Sequence, residues 1–268
     1  MGLTLMAVHA HPDDEASSTG GILAKYSAEG VETVLVVCTN GEQGDGPGGV
    51  KPGDDGHDEA EVVAMRRREL DESVRILGIT AVERLGYRDS GMMGWEANTA
   101  PGAFWGLSVE QAAAPLVELI DRYRPDVVVT YDDYGFYGHP DHIQAHRITV
   151  AALDRSGHAA KLYFPTIRRS LLSGFRERMA EADMEMPDVD ESQFGSPDEM
   201  IGATIDCSGY AMTKRAALAA HSSQTDNMFF LRMPESDFAS IFGTEEFIRA
   251  RDHTGTSTPE NDLFAGLR

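Results

Sequence analysis

The sequence predicts an α/β protein: three α/β/α layers around a mostly parallel sheet, with a smaller C-terminal annex. Short β-branched runs alternate with segments of helical periodicity over most of the chain, a rhythm that implies parallel strands with helices on both faces. The 268 residues and 41% hydrophobic content suffice for one large domain, or one domain with a small annex.

Residues 3–8 read as a buried strand. Residues 19–29 carry Ile22, Leu23 and Tyr26 at helical spacing and stop at Gly30. Residues 33–38 form a second β-branched run. Residues 58–77 form a long helix with apolar Val62, Val63, Leu70, Val74 and Leu77, closed by Gly78. A short strand at 82–85, a helix at 110–123, a strand at 126–130 introduced by Pro125, a helix at 141–153 and a strand at 161–164 continue the alternation. Residues 40–57, dense in Gly with Pro47 and Pro52, read as a long loop that is either a lid or mobile. Residues 86–107 are irregular and hold both tryptophans, Trp95 and Trp105. Residues 181–200, acidic with Pro187 and Pro197, read as a linker or surface excursion, followed by a strand at 201–205 and a helix at 210–221. The tail beyond Asp252 is expected to fray in part. The division is a catalytic core over residues 1–180 and an extension over 181–268 that completes the same domain on the substrate side.

The chain carries 23 Lys and Arg against 44 Asp and Glu, a net charge of −21. Such a surface repels phosphate backbones and anionic lipid, which argues against nucleic acid or membrane as partner. There is no basic residue before Lys25 and no apolar run of roughly 18 residues, and Met6 stands where a myristoylation motif has Ser or Thr. Cys38 and Cys207 are the only cysteines, which excludes a disulfide framework and a Cys-based zinc ribbon. The expectation is a soluble, cytoplasmic protein; the oligomeric state, homo-oligomer included, is left open.

The first strand runs directly into His9-Ala10-His11-Pro12-Asp13-Asp14-Glu15. In an open parallel sheet the carboxyl ends of the strands form the ligand crevice, and a His and an Asp three apart at such an end can converge on one cation. Pro12 fixes its own φ and biases His11 toward extended backbone. Adjacent Asp13 and Asp14 point different ways, so one can ligate while the other faces the ion's water. The strand ending at Thr130-Tyr131 leads to Tyr137-Gly138-His139-Pro140-Asp141-His142, the same kind of position. His11, Asp14 and His142 would supply two nitrogens and one oxygen, a set that suits catalytic Zn²⁺ with an open position. His139 could face the cavity without ligating, and Asp141 could orient a neighbouring imidazole. A single His-Pro-Asp-Asp segment can equally be a turn with an N-cap Asp; two such segments at two strand ends are much harder to read as caps. His9 reads as a core residue or as a support behind the ligands, His57 and His158 as exposed loop histidines, and Glu15 as a helix-start charge rather than a ligand. Arg66-Arg67-Arg68 reads as a solvated helix face from which one member could reach the crevice.

His11 to Glu15, Thr39-Asn40-Gly41-Glu42, Arg66 with Glu69, Leu77-Gly78 and the run from Tyr137 to His142 together resemble the PIG-L/LmbE zinc deacetylase family, in order and spacing across roughly residues 3–165. The run from Gly86 to Met92, and residues 217–224 with His221, resemble its mycothiol-pathway branch, which includes a GlcNAc-inositol deacetylase and a mycothiol S-conjugate amidase. The resemblance implies a Rossmann-like zinc enzyme that removes an acyl group from a glucosamine nitrogen of a small aminosugar conjugate. It implies His11, Asp14 and His142 as ligands of Zn²⁺, with Fe²⁺ or another divalent ion as alternatives. It further implies Asp13 as general base, Tyr137 as oxyanion stabiliser, and His139, held by Asp141, protonated or supporting charge on the departing amine. Glu42, Arg66, Asp89 and Met92 become candidates for sugar contact. A dinucleotide-binding enzyme is disfavoured by the missing G-x-G-x-x-G after the first strand, and a silent metal-binding protein by the extra carboxylate of Asp13.

Overall fold

The computed structural model describes residues 2–171, 195–224 and 230–268. Residues 181–194 of the expected linker lie outside them. The first strand, β1 (Thr4–His9), is followed by α1 (Asp14–Ala28), β2 (Glu32–Thr39), α2 (Glu59–Leu77), β3 (Ala81–Tyr87) and α3 (Val109–Tyr123). Then come β4 (Val127–Val129), the single turn α4 (Gly135–Gly138), α5 (Pro140–Ser156), β5 (Lys161–Thr166), β6 (Ala203–Asp206), α6 (Ala211–Ala220), α7 (Glu235–Phe242) and β7 (Thr244–Asp252). Among the described residues the strands make one seven-stranded sheet in the order β3-β2-β1-β4-β5-β7-β6. The first five run parallel, and β7 pairs antiparallel with both β5 and β6.

Strands β1, β2 and β4 are buried on both faces, because alternate side chains serve opposite layers. Leu5 and Ala7 of β1 join the core cluster that holds Ile22, Leu23 and Leu70 of α1 and α2; Met6 and Val8 join the one that holds Leu116 and Ile148 of α3 and α5. The long helix α2 starts where expected: the Asp58 side chain accepts from the Ala60 and Glu61 N–H groups, and Gly78 closes the helix at φ 71°. Helix α1 begins at Asp14, ahead of the expected residue 19. Its first turn carries no apolar period, and acidic Asp14 and Glu15 suit the positive end of the helix instead.

Strand β7 and helix α7 were not expected from the sequence. Sandwiched between β5 and β6, β7 buries Glu245 and Glu246, so its central position cannot be read from hydropathy. Glu245 accepts from the Gly21 and Ile22 N–H groups (2.8 and 2.9 Å) and from Lys214 Nζ (2.7 Å), which ties α1 and α6 to the sheet. The expected fraying beyond Asp252 is also corrected. Leu263 and Phe264 are fully buried, and Glu260 accepts from the buried Lys161 ammonium at 2.6 Å and from the Tyr163 hydroxyl at 2.5 Å. Among the described residues no helix is long and apolar enough to cross a membrane.

From β1 the chain winds through α1 to β2 on one side, and from β3 through α3 to β4 on the other. The winding therefore reverses between β1 and β4, and such a switch point leaves a crevice beyond the carboxyl ends of those two strands.

Candidate active site

The loop after β1 forms one wall of this crevice. Ala10 accepts from the Thr39 N–H and Oγ1 (2.8 and 2.9 Å), which fixes the loop to β2. The His11 N–H donates to Asp14 Oδ2 at 2.8 Å. Asp13 takes the N-cap position of α1 with φ 120°, yet its carboxylate makes no cap hydrogen bond, so it does not serve as a simple helix cap. Arg66 of α2 holds this turn from beneath. Its Nη2 donates to the Pro12 carbonyl (2.5 Å) and lies 3.3 Å from Asp13 Oδ1, while its Nη1 donates to the Gly41 carbonyl (3.0 Å). Gly41 is required for that approach: its φ is +78°, and a Cβ there would lie 2.4 Å from Arg66 Nη1.

The second wall follows β4, where Thr130 Oγ1 donates to the Val8 carbonyl at 3.0 Å and locks the two strand ends together. Gly135, at φ +70°, lets the chain turn tightly over α5, where a Cβ would lie 2.8 Å from His142 Cβ and from the Ile143 nitrogen. His139 is the N-cap of α5: its Nδ1 accepts from the Asp141 N–H at 3.1 Å, and Pro140 follows at the first helical position.

Three groups from the two walls meet. His11 Nδ1 lies 3.3 Å from Asp14 Oδ2 and 3.3 Å from His142 Nε2, and His142 Nε2 lies 3.5 Å from Asp14 Oδ1. A tetrahedral ion with bonds of about 2.0–2.1 Å separates its ligands by roughly 3.3 Å, so this donor set fits zinc in chemistry and in spacing. The remaining ring nitrogens are held by acceptors: His11 Nε2 by Asp141 Oδ2 (3.3 Å) and His142 Nδ1 by the Gly135 carbonyl (3.2 Å). That leaves His11 Nδ1 and His142 Nε2 facing the cluster, the arrangement that metal-ligating histidines adopt. Two other groupings of donor atoms lie close together, His11-His139-His142 and His11-Asp89-Asp141. In the first, His139 Nδ1 already accepts from the Asp141 N–H; in the second, His11 Nε2 already pairs with Asp141 Oδ2.

The electrostatics agree. Burial lowers the His11 imidazole, but Asp89, Asp14 and Asp141 outweigh it and raise the group well above its ordinary value. The same excess of negative charge favours a divalent cation. Asp14, despite burial, is held well below the usual carboxylate range by His142 and His11. Burial lowers His142 to about 4 and, with help from the neighbouring imidazoles, His139 to about 2. Burial raises Asp13 to about 6 against the opposing pull of Arg66.

The other expected residues fall into place unevenly. Tyr137, 44% exposed, projects at the mouth with its ring centroid 5.0 Å from that of His142 and 6.0 Å from that of His139. The Asp141 carboxylate, fixed by the Ser90 N–H (2.8 Å), orients His11 and not His139, which it touches only through its own backbone N–H. Burial disfavours a positive charge on His139, so of the two expected roles, protonated or supporting charge on the departing amine, the surroundings favour the second. Asp89 Oδ1 lies 3.7 Å from His11 Nε2, and the Asp89 N–H donates to Glu42 Oε2 at 2.9 Å, so Glu42 and Asp89 form one buried group beside the cluster. Asn40 steadies it, with Nδ2 donating to Glu42 Oε1 at 3.0 Å. Met92 lies further along the same loop and is 38% exposed. Of the arginine run, Arg66 is buried while Arg67 and Arg68 are exposed. His57 and His158 are half-buried rather than exposed, and His57 Nε2 donates to the Gly44 carbonyl at 2.9 Å.

Two features escaped the sequence reading. Tyr131 is buried, donates to Asp14 Oδ2 at 2.6 Å, accepts from the Ala10 N–H at 2.9 Å, and stacks on His142 at 4.1 Å between centroids. Its place immediately after a predicted strand was the available signal. Glu15 sits in the first turn of α1 as the expected helix-start charge, but it is also fully buried and paired with His221 at 2.7 Å, which the sequence did not show. Burial disfavours both charges, yet each partner offsets it: Glu15 is lowered and His221 raised.

A parallel sheet with polar side chains converging at its switch point defines a class, the α/β enzymes that seat a small ligand at the carboxyl ends of their strands. Within that class the chain belongs to the PIG-L family, described as GlcNAc-PI de-N-acetylase, whose profile matches residues 6–153. It is 43% identical over 285 residues to a 1D-myo-inositol 2-acetamido-2-deoxy-α-D-glucopyranoside deacetylase of Acidothermus cellulolyticus, covering 98% of this chain and 95% of that one. Among solved structures it resembles the N,N'-diacetylchitobiose deacetylase of Pyrococcus horikoshii (TM-score 0.58, 20% identity, covering 92% of this chain and 83% of that one). It also resembles a 4-carboxy-2-hydroxymuconate hydratase of Pseudomonas putida (TM-score 0.61, 17% identity, covering 96% and 100%). At such identities the likeness shows the fold, and the reaction has to be argued from the site.

Proposed function

We propose that this chain is a zinc-dependent N-deacetylase that releases acetate from N-acetylglucosamine linked to inositol, acting in the cytoplasm, with residues 181–268 completing the catalytic domain. The observation that carries this reading is the meeting of His11, Asp14 and His142 at metal-ligand spacing, with Asp13, whose carboxylate is not used as a helix cap, adjoining Asp14. The 43% identity to a deacetylase of that substrate supports the choice of sugar.

Zinc held by His11, Asp14 and His142 would supply Lewis acidity toward water and the amide carbonyl, and Fe²⁺ could substitute. Asp13 takes a proton from the attacking water as its oxygen bonds to the amide carbon. The Tyr137 hydroxyl and the His139 Nε2–H then donate to the developing oxyanion, a contribution of about 3 kcal/mol for a well-placed donor. The proton on Asp13 passes to the sugar nitrogen, the C–N bond breaks, and the free amine and acetic acid leave, the acid giving its proton to solvent to become acetate. Glu42 and Asp89 offer carboxylates to sugar hydroxyls next to the cluster, and Met92 offers an apolar contact. The Arg66 guanidinium is committed to Pro12, Gly41 and Asp13, so its part is to shape the loop rather than to grip the sugar.

Incubation of the zinc-loaded protein with N-acetylglucosaminyl-inositol should release acetate. Asp13→Ala should retain zinc and lose activity by about 10²–10⁴-fold, the usual worth of a general base. Full activity in Asp13→Ala removes the base assignment. Cleavage of a thioether-conjugated cysteinyl amide without acetate release would instead make the chain an amidase.

A further inference from the structure

Asp13 adopts a backbone conformation, φ 120° and ψ −25°, that few non-glycine residues tolerate. Such a conformation is strained and persists only where its surroundings over-determine it. One restraint is Arg66, acting on the Pro12 carbonyl. Another is Glu15, whose Oε2 accepts the Asp13 N–H at 2.9 Å. Glu15 is itself locked from the far side: its Oε1 receives the Ser73 hydroxyl of α2 (2.5 Å) and His221 Nε2 from the end of α6 (2.7 Å). Glu15, Ser73 and His221 are all 0% exposed. His221 is fixed in turn, with its N–H donating to the Leu218 carbonyl at 3.2 Å and its carbonyl accepting from the Gln224 N–H at 3.1 Å.

A buried ion pair is a poor device for packing one helix on another, because apolar residues of similar volume do it at lower desolvation cost. One such pair already stands beside the α1–α6 contact, Lys214 of α6 with Glu245 of β7, and in the second pair His221 Nδ1 is buried with no hydrogen-bond partner among the described residues. What the second pair does that an apolar contact could not is present a fixed acceptor to the Asp13 N–H.

We infer that Glu15 and His221 are positioning residues which hold the Asp13 carboxylate in its working place, so that the C-terminal annex takes part in the chemical step. The inference rests on the reading of Asp13 as general base. It does not extend to the metal ligands, because Asp14 is held separately by the His11 N–H and the Tyr131 hydroxyl.

The test compares Glu15→Gln, His221→Leu and His221→Gln with Asp13→Ala, each assayed well below its own melting temperature. His221→Leu and Glu15→Gln should lower kcat by up to about 10²-fold, the scale of a displacement near 1 Å at the reacting centre. KM and bound zinc should be unchanged. His221→Gln, which returns an N–H donor to Glu15, should recover most of the loss. Lys214→Met, which breaks the buried pair between α6 and β7, should lower the melting temperature and leave kcat intact. The inference is overturned if Glu15→Gln and His221→Leu keep wild-type kcat while Asp13→Ala is dead. It is equally overturned if kcat tracks melting temperature across all the variants, Lys214→Met included. An active Asp13→Ala enzyme removes the base assignment instead, and this inference with it.

Discussion

Replacing Tyr131 by Phe deletes one oxygen atom and should weaken metal binding without touching the proton-transfer group. The hydroxyl donates to Asp14 Oδ2 at 2.6 Å, accepts from the Ala10 N–H at 2.9 Å and lies 3.3 Å from His9 Nδ1. The ring is 1% exposed and stacks on His142 at 19° between planes, and Phe can keep both packing and stacking. Two losses follow. The Ala10 N–H is left buried without an acceptor, which costs about 1–3 kcal/mol of stability. Asp14 loses the donor that aims its carboxylate, and supporting groups of this kind are worth about 10–100-fold in metal affinity, or roughly 1.4–2.8 kcal/mol. Competition against a chromophoric chelator measures the affinity, and thermal unfolding measures the stability. At saturating zinc, kcat should return close to the wild-type value, because Asp13, Tyr137 and His139 are untouched. An unchanged zinc affinity in Tyr131→Phe would refute the argument that this hydroxyl orients the ligand.

Other expectations follow from the same contacts. Gly135→Ala places a methyl group 2.8 Å from His142 Cβ and from a backbone nitrogen, at a φ of +70°. It should cost at least about 1–3 kcal/mol and lower zinc affinity through His142; calorimetry with metal titration checks both. Glu260→Gln breaks the buried contact with Lys161 and should cost about 3 kcal/mol near neutral pH. Burial opposes ionisation of Glu260, but Lys161, Thr256 and Tyr163 prevail and hold its carboxyl below the ordinary glutamate value of 4.5. Its contribution is therefore present above pH 4.5 and lost as the pH falls from there through the lower native value. The melting-temperature gap between wild type and Glu260→Gln should close over that acid range, and a gap independent of pH contradicts the pairing.

What the sequence made legible was mostly local in origin. Strands β1, β2, β4 and β5 announce themselves because both of their faces are apolar, and α2 because Asp58 and Gly78 mark its ends. The cluster of His11, Asp14 and His142 was readable because two short motifs sit at two strand ends, and a parallel sheet brings strand ends to one rim. What stayed hidden depends on partners remote in the chain. Glu15 looks like a surface charge until His221 and Ser73 cover it, and β7 looks like a charged loop until Lys214 and Arg168 meet its glutamates. The tail looks loose until Glu260 finds Lys161 and Leu263 finds the Tyr26 hydroxyl. Polar groups of this kind carry no hydropathy signal, because their burial is conditional on a contact that only the finished fold supplies.

The locking of the β1 and β4 ends has a thermodynamic side. The donor atoms come from segments more than 120 positions apart, so an ion bound there closes a very long loop and has no comparable site in the unfolded chain. Zinc at a hundred times its dissociation constant would add about 2.7 kcal/mol to folding. Resistance to heat and to proteases should then rise and fall with the supply of free metal, so that the abundance of the protein in a starved cell reports on zinc as well as on synthesis.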